Sequence, residues 1–254
     1  MCMIEKEVNF MTKKKKLRVR WDRVFIACVV VGALGFGIYK SCSWIISSVI
    51  GFFSEPEVIE VAQKPKPIQY DSIVVIDPGH GGMDAGAKKD TLYEKDIDLK
   101  VAEYMKAELE NHGIKVFLTR DDDSTPYPSS KIKDLRYRAG MSAQHNAQYF
   151  VSIHVNDFEG SQDVCGFEVY EKDKNSHVLA QNVSQQIDQL QLTKNRGIVE
   201  GRHLQVLRDN TVPSILVELG YINSKDYFYL SNDQQLNKIA QAIVRGLIEN
   251  IKNK

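Results

Sequence analysis

Four residues in this chain carry side chains that together could do hydrolytic chemistry: His80, Glu94, His154 and Glu218. His80 follows the apolar run Ile73-Val-Val-Ile76 and the breakers Asp77-Pro78-Gly79. It therefore sits just past the carboxyl end of a buried strand, the place where open α/β sheets hold their ligands. Taken alone, such a histidine is as often a plain turn residue. His154 ends a second run of this kind, Tyr149-Phe-Val-Ser-Ile-His-Val155. If the sheet is parallel, both histidines open on one crevice. Glu218 is a charge inside Ile215-Leu-Val-Glu-Leu219, and carboxylates are almost never buried unless paired or bound to a metal. Glu94 falls in the first turn of a predicted helix, where an acidic residue already suits the helix dipole. Two histidines and one carboxylate with an open position make a catalytic zinc set. A further carboxylate can then take the proton of an attacking water.

The elements that must position these residues alternate along the chain. From Glu94, Ile97, Val101, Met105 and Leu109 recur at helical spacing and stop at Asn111-His112-Gly113. Ile114–Thr119 reads as a strand, and Arg120–Asp123 with the prolines beyond as a surface loop. Lys131–Asn146 reads as a helix. Val164–Glu171 is a further strand carrying Cys165 as a small core residue, and Asn175–Leu190 is helical. Leu204–Leu207 and Ser214–Leu219 read as short strands. A closing helix includes Leu236, Ile239, Ile243, Leu247 and Ile251. The fold class is α/β, with a mainly parallel central sheet flanked by helices and preceded by one N-terminal transmembrane helix.

Of the 254 residues, 43% are hydrophobic, ample for a real core. Net charge is zero, but the first seventy residues are basic and the remainder mildly acidic, which argues against nucleic acid as a partner. Only one of the four cysteines, Cys165, lies in the globular part, so neither an internal disulfide nor a cysteine-rich zinc site fits. Residues 1–23, with Lys13–Lys16, Arg18, Arg20 and Arg23, form a basic cytoplasmic segment. Residues 24–53 form a membrane anchor interrupted only by Lys40, which can snorkel toward an interface that Trp44 favours. A cleaved signal peptide is the weaker reading, because the apolar stretch is long and no small-residue cleavage site ends it. Residues 54–71 are a proline-containing linker, and 72–254 form the catalytic domain. The positive flank keeps the N-terminus cytoplasmic and sends the catalytic domain outward as a single-pass membrane protein.

In four stretches the sequence resembles the zinc-dependent N-acetylmuramoyl-L-alanine amidases of the Amidase_3 family. They are Ile76-Asp-Pro-Gly-His-Gly-Gly82, Glu94 at a helix start, Ser152-Ile-His-Val-Asn156 and Pro213-Ser-Ile-Leu-Val-Glu-Leu-Gly-Tyr-Ile-Asn-Ser224. Arg136, Arg138 and Val206-Leu-Arg208 add to the likeness, which covers about residues 72–252. The resemblance implies that His80, Glu94 and His154 hold one Zn²⁺ and that Glu218 is the catalytic carboxylate. It also implies cleavage of the amide between N-acetylmuramic acid and the L-alanine of the stem peptide in peptidoglycan. Asp77, Asn156 and Arg208 are candidates for positioning substrate or supporting the ligands.

Some relatives carry a long insertion after the second histidine that plugs the site; here only Asp157–Asp163 follows Asn156. An activator protein is therefore not expected. A stem-peptide carboxypeptidase is the rival enzyme, but no His-Glu-x-x-His or His-x-x-Glu occurs. A wall-binding protein on a decayed scaffold would have lost one of the four residues, and all are present.

Overall fold

Val74 and Ile76 enter one apolar layer and Val75 the other, because successive side chains of a strand leave on opposite faces. Phe150 and Leu216 join Val75, while Val151, Ile153, Ile215 and Val217 join Val74 and Ile76. Uninterrupted apolar runs are what a sheet covered on both sides demands. The computed structural model describes residues 72–253 except Gln162. The basic segment, anchor and linker expected over residues 1–71 lie outside the described residues.

The sheet has six strands: β1 (Ile73–Pro78), β4 (Lys115–Leu118), β5 (Tyr149–Asn156), β6 (Phe167–Glu171), β7 (Asn195–Glu200) and β8 (Ser214–Tyr221). Their order is β4-β1-β5-β8-β6-β7, parallel at every pairing except β6 with β8. A small hairpin, β2 (Lys88–Lys89) and β3 (Leu92–Tyr93), precedes the first helix. Helices α1 (Glu94–Asn111), α3 (Lys174–Asp188) and α6 (Asp233–Lys252) cover the face shared by Val74 and Ile76. α2 (Lys131–Gln144) and α4 (Gln205–Arg208) cover the other, and α5 (Tyr227–Leu230) is one short turn before α6. Among the described residues no helix is long and apolar enough to cross a membrane.

Several expectations change. Leu204–Leu207 is not a strand: Leu204 caps α4, and Val206 and Leu207 pack under the sheet from a single helical turn. A short apolar run does not by periodicity separate the two conformations. Strand β6 begins only at Phe167, leaving Cys165 buried just before it. Strand β1 does not stop at Ile76 but runs through Asp77 and Pro78. Its partner β4 ends opposite Ile76, so Pro78 pairs with β5 alone and its missing N–H costs no ladder bond on the open side.

Candidate metal centre

The parallel pairing of β1 with β5 and of β5 with β8 brings three strand segments to one crevice. His80 lies two residues past β1, His154 near the end of β5, and Glu218 directly opposite His154 on β8. Glu94 enters from the first turn of α1.

Glu94 Oε1 is 3.0 Å from His80 Nε2 and 2.9 Å from His154 Nδ1. The same oxygen accepts the Val155 N–H at 3.0 Å, and Oε2 accepts the Ala87 N–H at 2.6 Å. Ala87 returns the contact, since its carbonyl accepts the Glu94 N–H at 2.8 Å. Two glycines make this convergence sterically feasible. A Cβ on Gly79 would strike the His154 ring, and one on Gly86 would strike Glu94 and His80. Gly86 also has φ +64°, in the left-handed region that glycine tolerates best. His80 itself adopts φ 55° without that freedom, a strained conformation that the surroundings must hold.

Two buried guanidiniums do the holding. Arg138 donates to the Pro78 and His80 carbonyls, each at 2.6 Å, and Arg120 donates to Pro78 at 3.2 Å and Gly79 at 2.6 Å. Arg120 also donates to the carbonyls of Asp122 and Lys95. It is therefore buried framework, not the surface loop residue expected from its acidic neighbours. Arg138 also pairs with Asp77 at 2.9 Å and Asp134 at 2.6 Å. Asp77 takes further hydrogen bonds from Thr119 Oγ1 at 2.5 Å and Ser152 Oγ at 2.7 Å. Burial raises the Asp77 pKa, but Arg138 and these hydroxyls outweigh it and hold the carboxyl low.

The same contest runs differently at each site residue. Burial works against the Glu94 charge, yet His154 and His80 hold its carboxyl well below the ordinary range. Burial also works against His80 as a cation, but Glu94 and then Asp84, 2.9 Å from His80 Nδ1, raise its pKa on balance. Glu218 goes the other way. Its side chain reaches the cleft, but Oε2 is shut off from solvent and has no hydrogen-bond partner. Burial first, then the charges of Glu94 and Glu168, push its carboxyl well up. Glu168 faces Glu218 across the β6–β8 pair and is itself held by Arg196 and by Tyr170 Oη at 2.9 Å.

Asp98 was not among the residues expected from the sequence. It has no exposed surface, neither carboxylate oxygen has a hydrogen-bond partner, and burial pushes its pKa up. One donor atom each from His80, Glu94, Asp98 and His154 lie within 4.8 Å of one another, a grouping able to hold a metal ion. Two imidazole nitrogens and carboxylate oxygens suit zinc. The signal for Asp98 was its spacing, one turn beyond Glu94 on the face that continues through Val101 and Met105.

The cleft over this cluster has a volume of about 310 Å³ and is lined by His80, His154 and Glu218, with Tyr127, Leu135 and Val206 among its apolar walls. Asp77 also lines it. Asn156 and Arg208 are not among its lining residues. The Asn156 Oδ1 accepts the Asp157 N–H, and the half-exposed Arg208 pairs with Asp209 at 3.0 Å.

Comparison with known proteins finds amidases of similar sequence and fold. A solved structure of similar fold, the N-acetylmuramoyl-L-alanine amidase AmiC2 of Nostoc punctiforme, is 38% identical with TM-score 0.66, covering 72% of this chain and 99% of that one. The CwlD amidase of Clostridioides difficile, solved in complex with the GerS lipoprotein, is 28% identical with TM-score 0.67, covering 72% and 100%. The probable cell wall amidase LytH of Staphylococcus aureus is 35% identical over 203 residues, which are 78% of this chain but only 65% of that longer protein. The family model described as N-acetylmuramoyl-L-alanine amidase, Amidase_3, matches residues 74–249, from the first core strand almost to the end of α6, and the chain belongs to that family.

Proposed function

We propose that this protein hydrolyses the amide joining N-acetylmuramic acid to the L-alanine of the stem peptide in peptidoglycan, with one zinc ion held by His80, Glu94 and His154. The observation that carries this reading is the convergence of both imidazoles on Glu94 Oε1, with Glu218 directly opposite His154. Bound there, zinc would supply Lewis acidity, polarising the scissile carbonyl and acidifying a water. Glu94 stays ionised between its two histidines and is kept in place by the Ala87 and Val155 N–H groups. Asp84 Oδ1 lies 2.9 Å from the far nitrogen of the His80 ring, beside the atom through which a ligating histidine is usually supported.

Glu218 does the proton work. Its carboxylate, which lines the cleft, accepts the proton of the attacking water and delivers it to the departing alanine amine. A carboxyl pushed up from its ordinary range is closer to the operating pH, where an acid–base group works best. The cleft leaves room for an extended substrate, and the short Asp157–Asp163 connection leaves it open without an activator.

The test is mass spectrometry of wall digests. The full chain should release stem peptides with a free L-alanine amino terminus and leave the glycan strands intact. Shortened peptides still attached to muramic acid would instead mean a carboxypeptidase.

Residues 24–53 anchor the enzyme, residues 54–71 form the linker, and the basic segment holds the N-terminus in the cytoplasm, placing residues 72–254 on the wall side. Protease added to spheroplasts should remove the catalytic domain; digestion of an N-terminal tag while the domain survives would reverse this topology.

A further inference from the structure

Glu94 and Asp98 stand one helical turn apart on α1, and their surroundings differ completely. Both oxygens of Glu94 have backbone donors, and two imidazoles add to them. Asp98 is wholly buried, and neither of its oxygens accepts a hydrogen bond. A buried carboxylate without donors is costly, and such groups persist when they are paired or bind a metal. The charge of Arg120 favours the ionised carboxylate, but Arg120 makes no hydrogen bond to it. Arg120 spends its guanidinium on the carbonyls of Pro78, Gly79, Lys95 and Asp122. What Asp98 does share is position, since its donor atom falls within 4.8 Å of those of His80, Glu94 and His154.

We propose that Asp98 is a fourth protein ligand of the metal, making the centre a set of two histidines and two carboxylates. This deepens the zinc reading above and rests on it. The second carboxylate brings the charge of the centre to zero with a divalent ion, where His80, Glu94 and His154 alone would leave one positive charge. The metal is then retained more tightly and is a milder Lewis acid. With four protein ligands the ion would have no open position, and water would reach it only as an additional ligand. That places more of the catalytic demand on Glu218 as the proton acceptor.

The experiment uses the full chain in detergent, stripped of metal and titrated with Zn²⁺ against a competing chelator, beside the Asp98→Asn variant. Asparagine keeps the volume and removes the buried charge, and circular dichroism checks the fold. The variant should lose more than about 100-fold in zinc affinity, beyond the ~10–100-fold typical of groups that only orient a ligand. Its Co²⁺-substituted form should also show an altered visible spectrum, because that spectrum follows the ligand set. A smaller loss, or an unchanged cobalt spectrum, overturns the proposal. If the variant does not fold, a zinc-bound crystal structure of the wild-type protein decides. An Asp98 oxygen at about 2.0–2.2 Å from the ion supports ligation, and a carboxylate outside the coordination shell overturns it. Wild-type protein that binds no zinc would remove the zinc reading itself, whereas zinc held without Asp98 would remove only this inference.

Discussion

Asp77 on β1 and Glu218 on β8 are carboxylates two strands apart in one sheet, and the chain treats them in opposite ways. Asp77 is closed in by Thr119, Ser152 and Arg138, and its pKa is low despite burial. Glu218 has an oxygen with no partner, and its pKa is high. The difference separates framework from reagent. At the β1 end both carboxylate oxygens have donors, and one of those donors, Arg138, also clamps the strained His80 loop. At β8 one carboxylate oxygen has no donor, which costs stability and favours the protonated form.

The sharpest way to break that contrast is to remove the proton carrier. Glu218→Gln should keep the fold and the metal but lose ~10²–10⁴-fold in turnover, because the amide cannot carry the proton. His80→Ala or His154→Ala should lose the metal itself, measured as zinc content of the purified protein. A Glu218→Gln enzyme as active as the wild type would take Glu218 out of the mechanism.

On the framework side, Arg138→Met should cost roughly 3–5 kcal/mol in urea unfolding, the usual result of leaving one partner of a buried ion pair alone. Asp77 would be left facing only hydroxyl donors, and the Pro78 and His80 carbonyls would lose their clamp. Zinc affinity should fall with stability, since His80 is held at positive φ by those contacts. If stability is unchanged, Asp77 and Arg138 are not the frame that the contrast requires.

Most of this framework was legible in the sequence, for a physical reason. The strands that carry His154 and Glu218 are buried on both faces, so they read as apolar runs, and α1 advertises itself through Ile97, Val101, Met105 and Leu109. Strand β7 was not legible, because Asn195–Glu200 is a half-exposed edge with no apolar alternation to mark it. Arg120 was misplaced and Asp98 was not singled out. Arg120 leads a run of three aspartates that reads as a solvated loop, and Asp98 is a charge among the mixed charges of the first turns of α1, while each side chain is buried. Burial of a charge depends on what the fold brings to it, and local composition does not carry that information.

Removing the metal should have an effect of intermediate size. Free zinc at a hundred times its dissociation constant stabilises the folded state by about 2.7 kcal/mol, so chelation should lower the melting temperature and His154→Ala should abolish the response. A wild-type melting temperature indifferent to zinc would mean that the cluster does not hold the ion.

The smallest effect is also the most direct measure of the cost of Glu218. In metal-free protein its folded pKa lies above the ordinary value of 4.5, so folding favours its protonated form. The stabilisation from that proton is fully present below pH 4.5 and is lost as pH rises through the folded pKa. Glu218→Gln cannot ionise, so it avoids this loss. The metal-free variant should therefore be more stable than metal-free wild type at neutral pH, and the gap should close toward pH 4.5. Glu94 and the histidines titrate in both proteins, and the difference between the two curves isolates Glu218. A variant less stable than wild type at neutral pH would mean that Glu218 has a donor in solution. It would then stand with Asp77 as framework, and the contrast between the two carboxylates would be gone.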